Sequence, residues 1–354
     1  MKITFLLPEF GSEPGGGKKI VYCYANVLAS FGHQVTVVHP ALLWPDPTFI
    51  QKAKALVRFV QRKLDQSYSP DCWFSTDPRV KIAWVYDLSA KNLPDGDALI
   101  ATAWQTAEWS VNHPKAKGKK FYFIQGLETW AGNEQRVMDT WKMDFENIVI
   151  AGWLQEISSS LGQTSHYAPH GFNTEEFGQD KSPEERDNAT AIMLYNETEI
   201  KGAKDGIQAL KIAKEQEKDL KAILFGVPEK PADLPDWMEY HCQPSMPLLR
   251  QLYNRAAMVL APSWFEGWGL VPCEAMQCGC ALLATEIGGH LEFAKQNHTA
   301  LLSPAKTPTA LADNIRRFIQ DRELRIRLAN NGRQFIGQLT WERAGRRFEE
   351  ILKG

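Results

Sequence analysis

The sequence predicts two α/β domains, each built on a parallel sheet, and three observations carry that expectation. The chain opens with a strand over residues 3–7, a glycine-rich turn over 11–17, a helix over 18–31 stopped by Gly32, and a strand over 34–38. Strands joined through a helix in this way run parallel. Residues 179–190, QDKSPEERDNAT, are polar and nearly free of large apolar side chains, so they read as a linker or its edge, and a second strand–helix alternation starts behind them. Finally, 354 residues is long for one core and comfortable for two.

The remaining elements follow the same logic. Further strands of the first domain are expected at residues 81–86, 98–102, 120–125 and 147–151, with helical patterns between several of them. In the second domain a strand at 191–195 leads to an amphipathic helix at 203–217, with Ile207, Leu210 and Ala213 on one stripe. Strands follow at 221–225, 258–261 and 281–285, and helices at 309–320, 322–331 and 341–352 close the chain. The domains are expected to span 1–178 and 179–340, with 341–354 a C-terminal helix packing back on the first. Open parallel sheets bind ligands at the carboxyl ends of their strands, so two such domains facing each other would make a cleft.

Composition narrows the function. A hydrophobic content of 44%, a charged content of 23% and a net charge of −2 are those of an ordinary globular protein, and they exclude bulk attraction to nucleic acid. The twelve tryptophans read mainly as core. The six cysteines form no CxxC pair and have no histidines at metal spacing, so they read as reduced thiols of a cytoplasmic protein. The N-terminal apolar run, ended by Pro8 and Glu9, is too short for a signal peptide, and no run approaches the ~18 residues of a membrane span.

The densest chemical signal runs from Ser263 to Gly279, SWFEGWGLVPCEAMQCG. A strand ends near Ala261, a loop carries Glu266, Gly267 and Gly269, and a helix starts near Leu270 with Glu274 about one turn inside. Free N–H groups at such a helix start favour an anion such as pyrophosphate, and the glycines admit it to the backbone. A carboxylate one turn in is able to accept hydrogen bonds from vicinal ribose hydroxyls, while the loop carboxylate reaches a sugar. Read alone, the same residues also describe a capped surface helix with solvated glutamates.

This segment resembles the donor-site signature of retaining glycosyltransferase family 4, of the GT-B fold: a Glu, seven residues, then a second Glu in an EAM-x-x-G setting, here Glu266, Glu274, Ala275, Met276 and Gly279. The resemblance implies that Glu274 binds the ribose, that Glu266 contacts the transferred sugar, and that amides around Gly269, Leu270 and Val271 hold the phosphates. Other segments are similar to the family in order: Gly15-Gly16-Gly17 with Ala25, Asn26 and Leu28; Gly32-His33 with Val35; His170-Gly171-Phe172-Asn173 with Phe177; Leu252-Tyr253 with Ala256-Ala257; and Thr285-Glu286 with Gly288, Gly289 and Glu292. Gly16 and Gly17 are thereby implied to lie over the donor phosphates from across the cleft, and Lys201 to neutralise the departing diphosphate.

Two departures from the family pattern stand out. Asn196 occupies the place of an Arg five residues before Lys201, supplying hydrogen bonds without charge, so either Lys201 acts with less help or another cation such as Lys204 or Lys18 contributes. Gln125, in the run YFIQGLETW, stands where many members carry a His; it is able to donate to a sugar hydroxyl but not to shuttle a proton. Gln125 and Glu128 are the expected acceptor or sugar contacts. The run is similar to a branch that includes bacterial surface-polysaccharide transferases.

The expected activity is transfer of a sugar from a nucleotide-diphosphate donor, a UDP-sugar first with GDP- and dTDP-sugars as alternatives, to a saccharide or lipid-linked saccharide. The resemblance implies retention; no metal is expected, because the acidic pair of a metal-dependent site is missing, and no cofactor is expected. A non-catalytic sugar-nucleotide binder of the same fold is the alternative. Residues 49–66, FIQKAKALVRFVQRKLDQ, place Phe49, Ala53, Leu56, Val57, Val60 and Leu64 on one helical stripe with basic residues elsewhere. That pattern fits either a helix packed on the first domain or one lying on the inner face of a membrane.

Overall fold

The computed structural model describes residues 1–44, 47–129 and 133–354. The chain divides into two compact units, Met1–Gly171 with Trp341–Gly354, and Phe172–Thr340. The division falls between Gly171 and Phe172, not behind Gly178.

Among the described residues, the first unit holds one sheet of seven strands: β1 (Lys2–Leu6), β2 (Gln34–Leu42), β3 (Lys81–Asp87), β4 (Ala98–Ala101), β5 (Lys119–Ile124), β6 (Glu146–Val149) and β7 (Ser165–Tyr167). Their order is β3-β2-β1-β4-β5-β6-β7, and every pair is parallel. The central strands are apolar on both faces, as a sheet covered on both sides demands. Helices α1 (Gly16–Ser30), α2 (Phe49–Asp65), α3 (Trp104–Ser110), α4 (Glu134–Thr140) and α5 (Gly152–Ser160) connect them. Helix α1 starts two residues earlier than its sequence pattern indicates, so Gly16 and Gly17 are helical residues, with extended Gly15 as N-cap.

The second unit repeats the plan with β8 (Thr190–Tyr195), β9 (Lys221–Gly226), β10 (Met238–Cys242), β11 (Met258–Ala261), β12 (Ala281–Thr285) and β13 (Ala300–Ser303), ordered β10-β9-β8-β11-β12-β13 and all parallel. Helices α6 (Ala203–Gln216), α7 (Met246–Arg255), α8 (Leu270–Gln277), α9 (Gly288–Leu291), α10 (Pro308–Gln320) and α11 (Arg322–Ile336) surround it. The chain then returns to the first unit as α12 (Trp341–Lys353). Phe348 of this helix lies 4.5 Å from the Tyr24 ring and 5.2 Å from Phe123, and Glu349 pairs with His33 at 2.9 Å. A Cβ on Gly345 would stand 2.8 Å from Val27, so only glycine lets α12 lie this close to α1.

Strands β7, β10 and β13 carry no clear sequence signal. The first two are sheet edges of mixed polarity, SHY and MEYHC, without an apolar run. The polar stretch 179–190 is likewise no linker. It belongs to the second unit, where Ser182 and Glu185 form a capping box around the short turn Pro183–Glu185. Arg186 is 4% exposed and donates to the carbonyls of Lys181 (2.7 Å), Tyr253 (3.1 Å), Ala256 (2.8 Å) and Cys278. A guanidinium with its donors spent on four carbonyls buries stably, which composition alone does not reveal. Replacing it strands those acceptors. Arg186→Ala is expected to lower the unfolding free energy by roughly 3 kcal/mol, read from urea titration; a loss under about 1 kcal/mol would refute the role.

Candidate functional site

In the second unit β8 and β11 are neighbours, yet the chain leaves β8 toward β9 and β11 toward β12. That reversal opens a crevice at the carboxyl ends of the two strands, the place where such sheets bind ligands. The loops that leave there, residues 196–202 and 262–269, contain Asn196, Lys201, Glu266, Gly267 and Gly269.

The two loops are locked together. Gly202 caps the short turn Glu199–Lys201 at φ +63°, and a Cβ there would fall 2.1 Å from the Pro262 carbonyl oxygen. The amide of Trp264 donates to the Ile200 carbonyl at 2.7 Å, and its indole to Asp205 at 2.7 Å. The Lys306 ammonium lies 4.1 Å from the centre of the same indole. These contacts bring Lys201 Nζ within 2.8 Å of both Glu266 carboxylate oxygens. Both side chains keep some exposure, 32% and 17%, so the pair remains open to a ligand. Ser263 Oγ donates to Glu266 at 2.9 Å and fixes its rotamer.

Behind Glu266 the loop after β12 supplies the wall. A Cβ on Gly289 would meet the Glu266 carbonyl oxygen at 2.5 Å, so only glycine admits α9 there. His290 is buried and held neutral, its pKa lowered by desolvation against the pull of Glu266. Its Nδ1 donates to the Thr285 carbonyl at 3.0 Å, while Thr285 Oγ1 donates to the Ser263 carbonyl at 2.5 Å. This buried relay ties β12 to the Ser263–Glu266 turn.

Gly269, at φ +115°, then turns the chain into α8, which has no side-chain N-cap and no acidic residue in its first turn. Its leading amides, Leu270 and Val271 among them, are therefore available to an anion. Glu274 accepts from the buried Tyr253 hydroxyl at 3.4 Å, and Tyr253 is held in turn between the rings of Phe177 and Phe225. Asn196 turns its side chain onto its own loop, accepting from the Thr198 amide at 2.8 Å. The other cations considered sit elsewhere: Lys18 is in the first unit, paired with Glu9 at 3.1 Å, and Lys204 is exposed on α6.

The first unit has a matching reversal between β1 and β4. The uncapped start of α1 lies there, and Gln125, just beyond β5, donates to the Gly17 carbonyl at 3.2 Å. Glu128 stands at φ +49°, a conformation non-glycine residues rarely adopt, and accepts from the Trp104 amide at 3.0 Å. Burial raises its pKa to about 7, partly offset by that hydrogen bond. Trp130, at the end of the same run, lies outside the described residues. The sequence singled out Gly16, Gly17, Gln125 and Glu128 here, and Lys201, Glu266, Gly269 and Glu274 in the second unit. Ser263, Thr285, His290 and Tyr253 were missed as supports, though the closely spaced Thr285 and His290 were a signal.

Among the described residues no group of three or more His, Cys, Asp or Glu side chains gathers to hold a metal. All six cysteines are free. Burial pushes the Cys273 and Cys278 thiols up, and Cys280 to about 11, which makes them poor nucleophiles.

Residues 174–335 match the family described as glycosyl transferases group 1. That segment spans nearly all of the second unit, including every residue placed above in the loops and α8. An uncharacterized glycosyltransferase of Methanocaldococcus jannaschii is 33% identical over 90 residues, 25% of this chain and 26% of its own length. The capsular polysaccharide biosynthesis glycosyltransferase CapM of Staphylococcus aureus is 25% identical over 166 residues, 43% of this chain and 44% of its own. The matched segments thus span a quarter to under half of these relatives. Over its whole length the chain is similar to Anabaena HepE solved in complex with UDP, with a TM-score of 0.74, 16% identity and 100% of each chain covered. The fold is GT-B.

The locked loops carry a direct test. Gly202→Ala introduces a methyl where the Pro262 carbonyl already stands and at a left-handed φ. It is expected to cost roughly 2 kcal/mol or more in a chemical denaturation series. A variant as stable as the parent would show that the loops do not depend on this contact.

Proposed function

We propose that the chain transfers a sugar from a nucleoside-diphosphate donor to a hydroxyl of a saccharide or lipid-linked saccharide, with retention and without a metal. The observation that carries this reading is the Lys201–Glu266 pair at the mouth of the second sheet, beside a helix whose start is free to bind an anion. The family match over residues 174–335 supports it, as does the binding of UDP and UDP-glucose by HepE. CapM, named for capsular polysaccharide biosynthesis, supports a polysaccharide acceptor.

In this reading the donor diphosphate lies against the amides of Gly269, Leu270 and Val271, and Glu274 accepts from the ribose hydroxyls. Lys201 passes from Glu266 to the diphosphate as the bond between the anomeric carbon and the phosphate oxygen breaks. Electrostatic stabilisation of a leaving group is commonly the largest single catalytic contribution. Glu266, released from its partner, stabilises the positive character of the anomeric carbon. The acceptor oxygen bonds to that carbon on the face the phosphate leaves, and its proton passes to the departing phosphate oxygen. Asn196 contributes hydrogen bonding but no charge, which places the cationic role on Lys201. Gln125 and Glu128 contact the acceptor or the sugar.

Isothermal titration with UDP, GDP, ADP and dTDP tests the donor site. One nucleotide should bind, and Glu274→Ala should abolish that binding. Lys201→Ala should lower kcat about 10²- to 10³-fold in a product assay, by loss of leaving-group stabilisation, and a chelator should leave the wild type unaffected. Failure of every nucleotide to bind would sink the proposal. Tight binding without turnover on any acceptor would favour a non-catalytic binder.

Glu128 makes the rate pH-dependent. With its pKa near 7 the carboxylate that accepts from an acceptor hydroxyl forms as pH rises through 7, so kcat/KM should climb across that interval. Glu128→Gln should flatten the rise. An unchanged profile in the variant would remove Glu128 from the acceptor site.

A further inference from the structure

Helix α2 presents its apolar stripe to solvent. Phe49 is 86% exposed, Leu64 81%, Val57 67% and Ile50 65%, with Leu56 and Val60 also open. These residues recur every three to four positions on one continuous face of the helix. Most of the exposed large hydrophobic side chains of the described protein are on this single helix.

The opposite face makes the contacts with the unit. Ala55 is buried, and the Phe59 ring stacks on Trp84. Arg58 donates to the Ala41 carbonyl at 3.3 Å, and Arg62 donates to the Ser67 carbonyl at 2.6 Å and lies over the Phe10 ring. A capping box formed by Thr48 and Gln51 holds the helix start. The orientation is therefore set by specific contacts of this face, Ala55 and Phe59 together with Arg58 and Arg62. The other reading of the sequence, a helix packed on the first domain, holds in that α2 packs there through this face, while its apolar stripe stays exposed.

An apolar strip this continuous is normally covered in use. Its margins indicate by what. Lys52 and Lys63 lie along one edge of the stripe and Lys54 along the other, all exposed, and the single acidic residue of α2 is Asp65 at its C-terminal end. A second copy of the chain laid on this face would bring lysine rows against each other. An anionic surface would meet them favourably, and an apolar strip between lysine rows is the arrangement that seats a helix in the plane of a bilayer.

We infer that α2 docks the first unit on an anionic lipid bilayer, burying Phe49, Ile50, Val57, Val60 and Leu64 among the acyl chains while Lys52, Lys54 and Lys63 engage lipid phosphates. This contact stands apart from the transferase reading, since it needs neither donor nor acceptor. If both hold, it carries the enzyme to a lipid-linked acceptor.

Co-sedimentation of the full chain with phosphatidylcholine vesicles, with and without phosphatidylglycerol, tests the inference. Binding should require phosphatidylglycerol and weaken with salt. The double variant Val57→Glu, Leu64→Glu should lower the partition coefficient about tenfold or more, since burying one such side chain is worth more than a tenfold change. Both positions are exposed, so its melting temperature and nucleotide binding should stay at wild-type values. The triple variant Lys52→Gln, Lys54→Gln, Lys63→Gln should lose the preference for phosphatidylglycerol. Absence of wild-type binding, or equal binding by the Glu variant, would overturn the inference. So would a dimer in light scattering that the same Glu variant disperses, because a second copy would then be the occupant.

Discussion

The backbone at Gly202 passes so close to Pro262 that no side chain fits between them, and the second unit's chemistry depends on that approach. It joins the loop after β8 to the loop after β11, two strands that are neighbours in the sheet but far apart in the chain. Lys201 and Glu266 meet as a consequence, at 2.8 Å. A pair of opposite charges needs no fine placement to attract. It does need rigid loops to be held in one place and still partly open to solvent.

The rigidity is built from layers that carry no chemistry of their own. Ser263 fixes Glu266, Thr285 holds the Ser263 carbonyl, and neutral His290 closes the relay from within the unit. Burial keeps that imidazole uncharged, so the cation paired with Glu266 is Lys201. On the other side Tyr253 orients Glu274. Glycine enters wherever two backbones must approach, at Gly202 and Gly289. The site is thus a set of close backbone approaches with a few polar side chains fixed into them.

The two units use one topology for different ends. Each sheet reverses direction at its first strand, and each reversal has a helix with an uncapped start nearby: α1 in the first unit, α8 in the second. The second unit surrounds its helix with fixed charge. The first sets Gln125 against α1, and holds at the start of α3 a carboxyl that burial has made easy to protonate, Glu128. It also carries α2, tied to the unit through one face so that its apolar stripe looks outward.

Much of this was legible in the chain itself. The apolar runs of β8, β11 and β12, bounded by glycine and proline, mark strands because only a doubly covered sheet tolerates them. Glu266 and Glu274 stood out through the resemblance of their segment to a donor-site signature, since read alone it also fits a capped surface helix. What sequence left open depends on contacts distant in the chain. Arg186 looked like part of a polar linker, and only the carbonyls of Tyr253, Ala256 and Cys278 converging on it make it a buried anchor. The edge strands β7 and β10 carry mixed sequences, SHY and MEYHC, with no apolar run to mark them. The stripe on α2 was plain in the sequence, but periodicity reports that a helix has an apolar face and never which way that face points. The tertiary structure decided this through Ala55, Phe59 and Arg62, the residues that hold the opposite side.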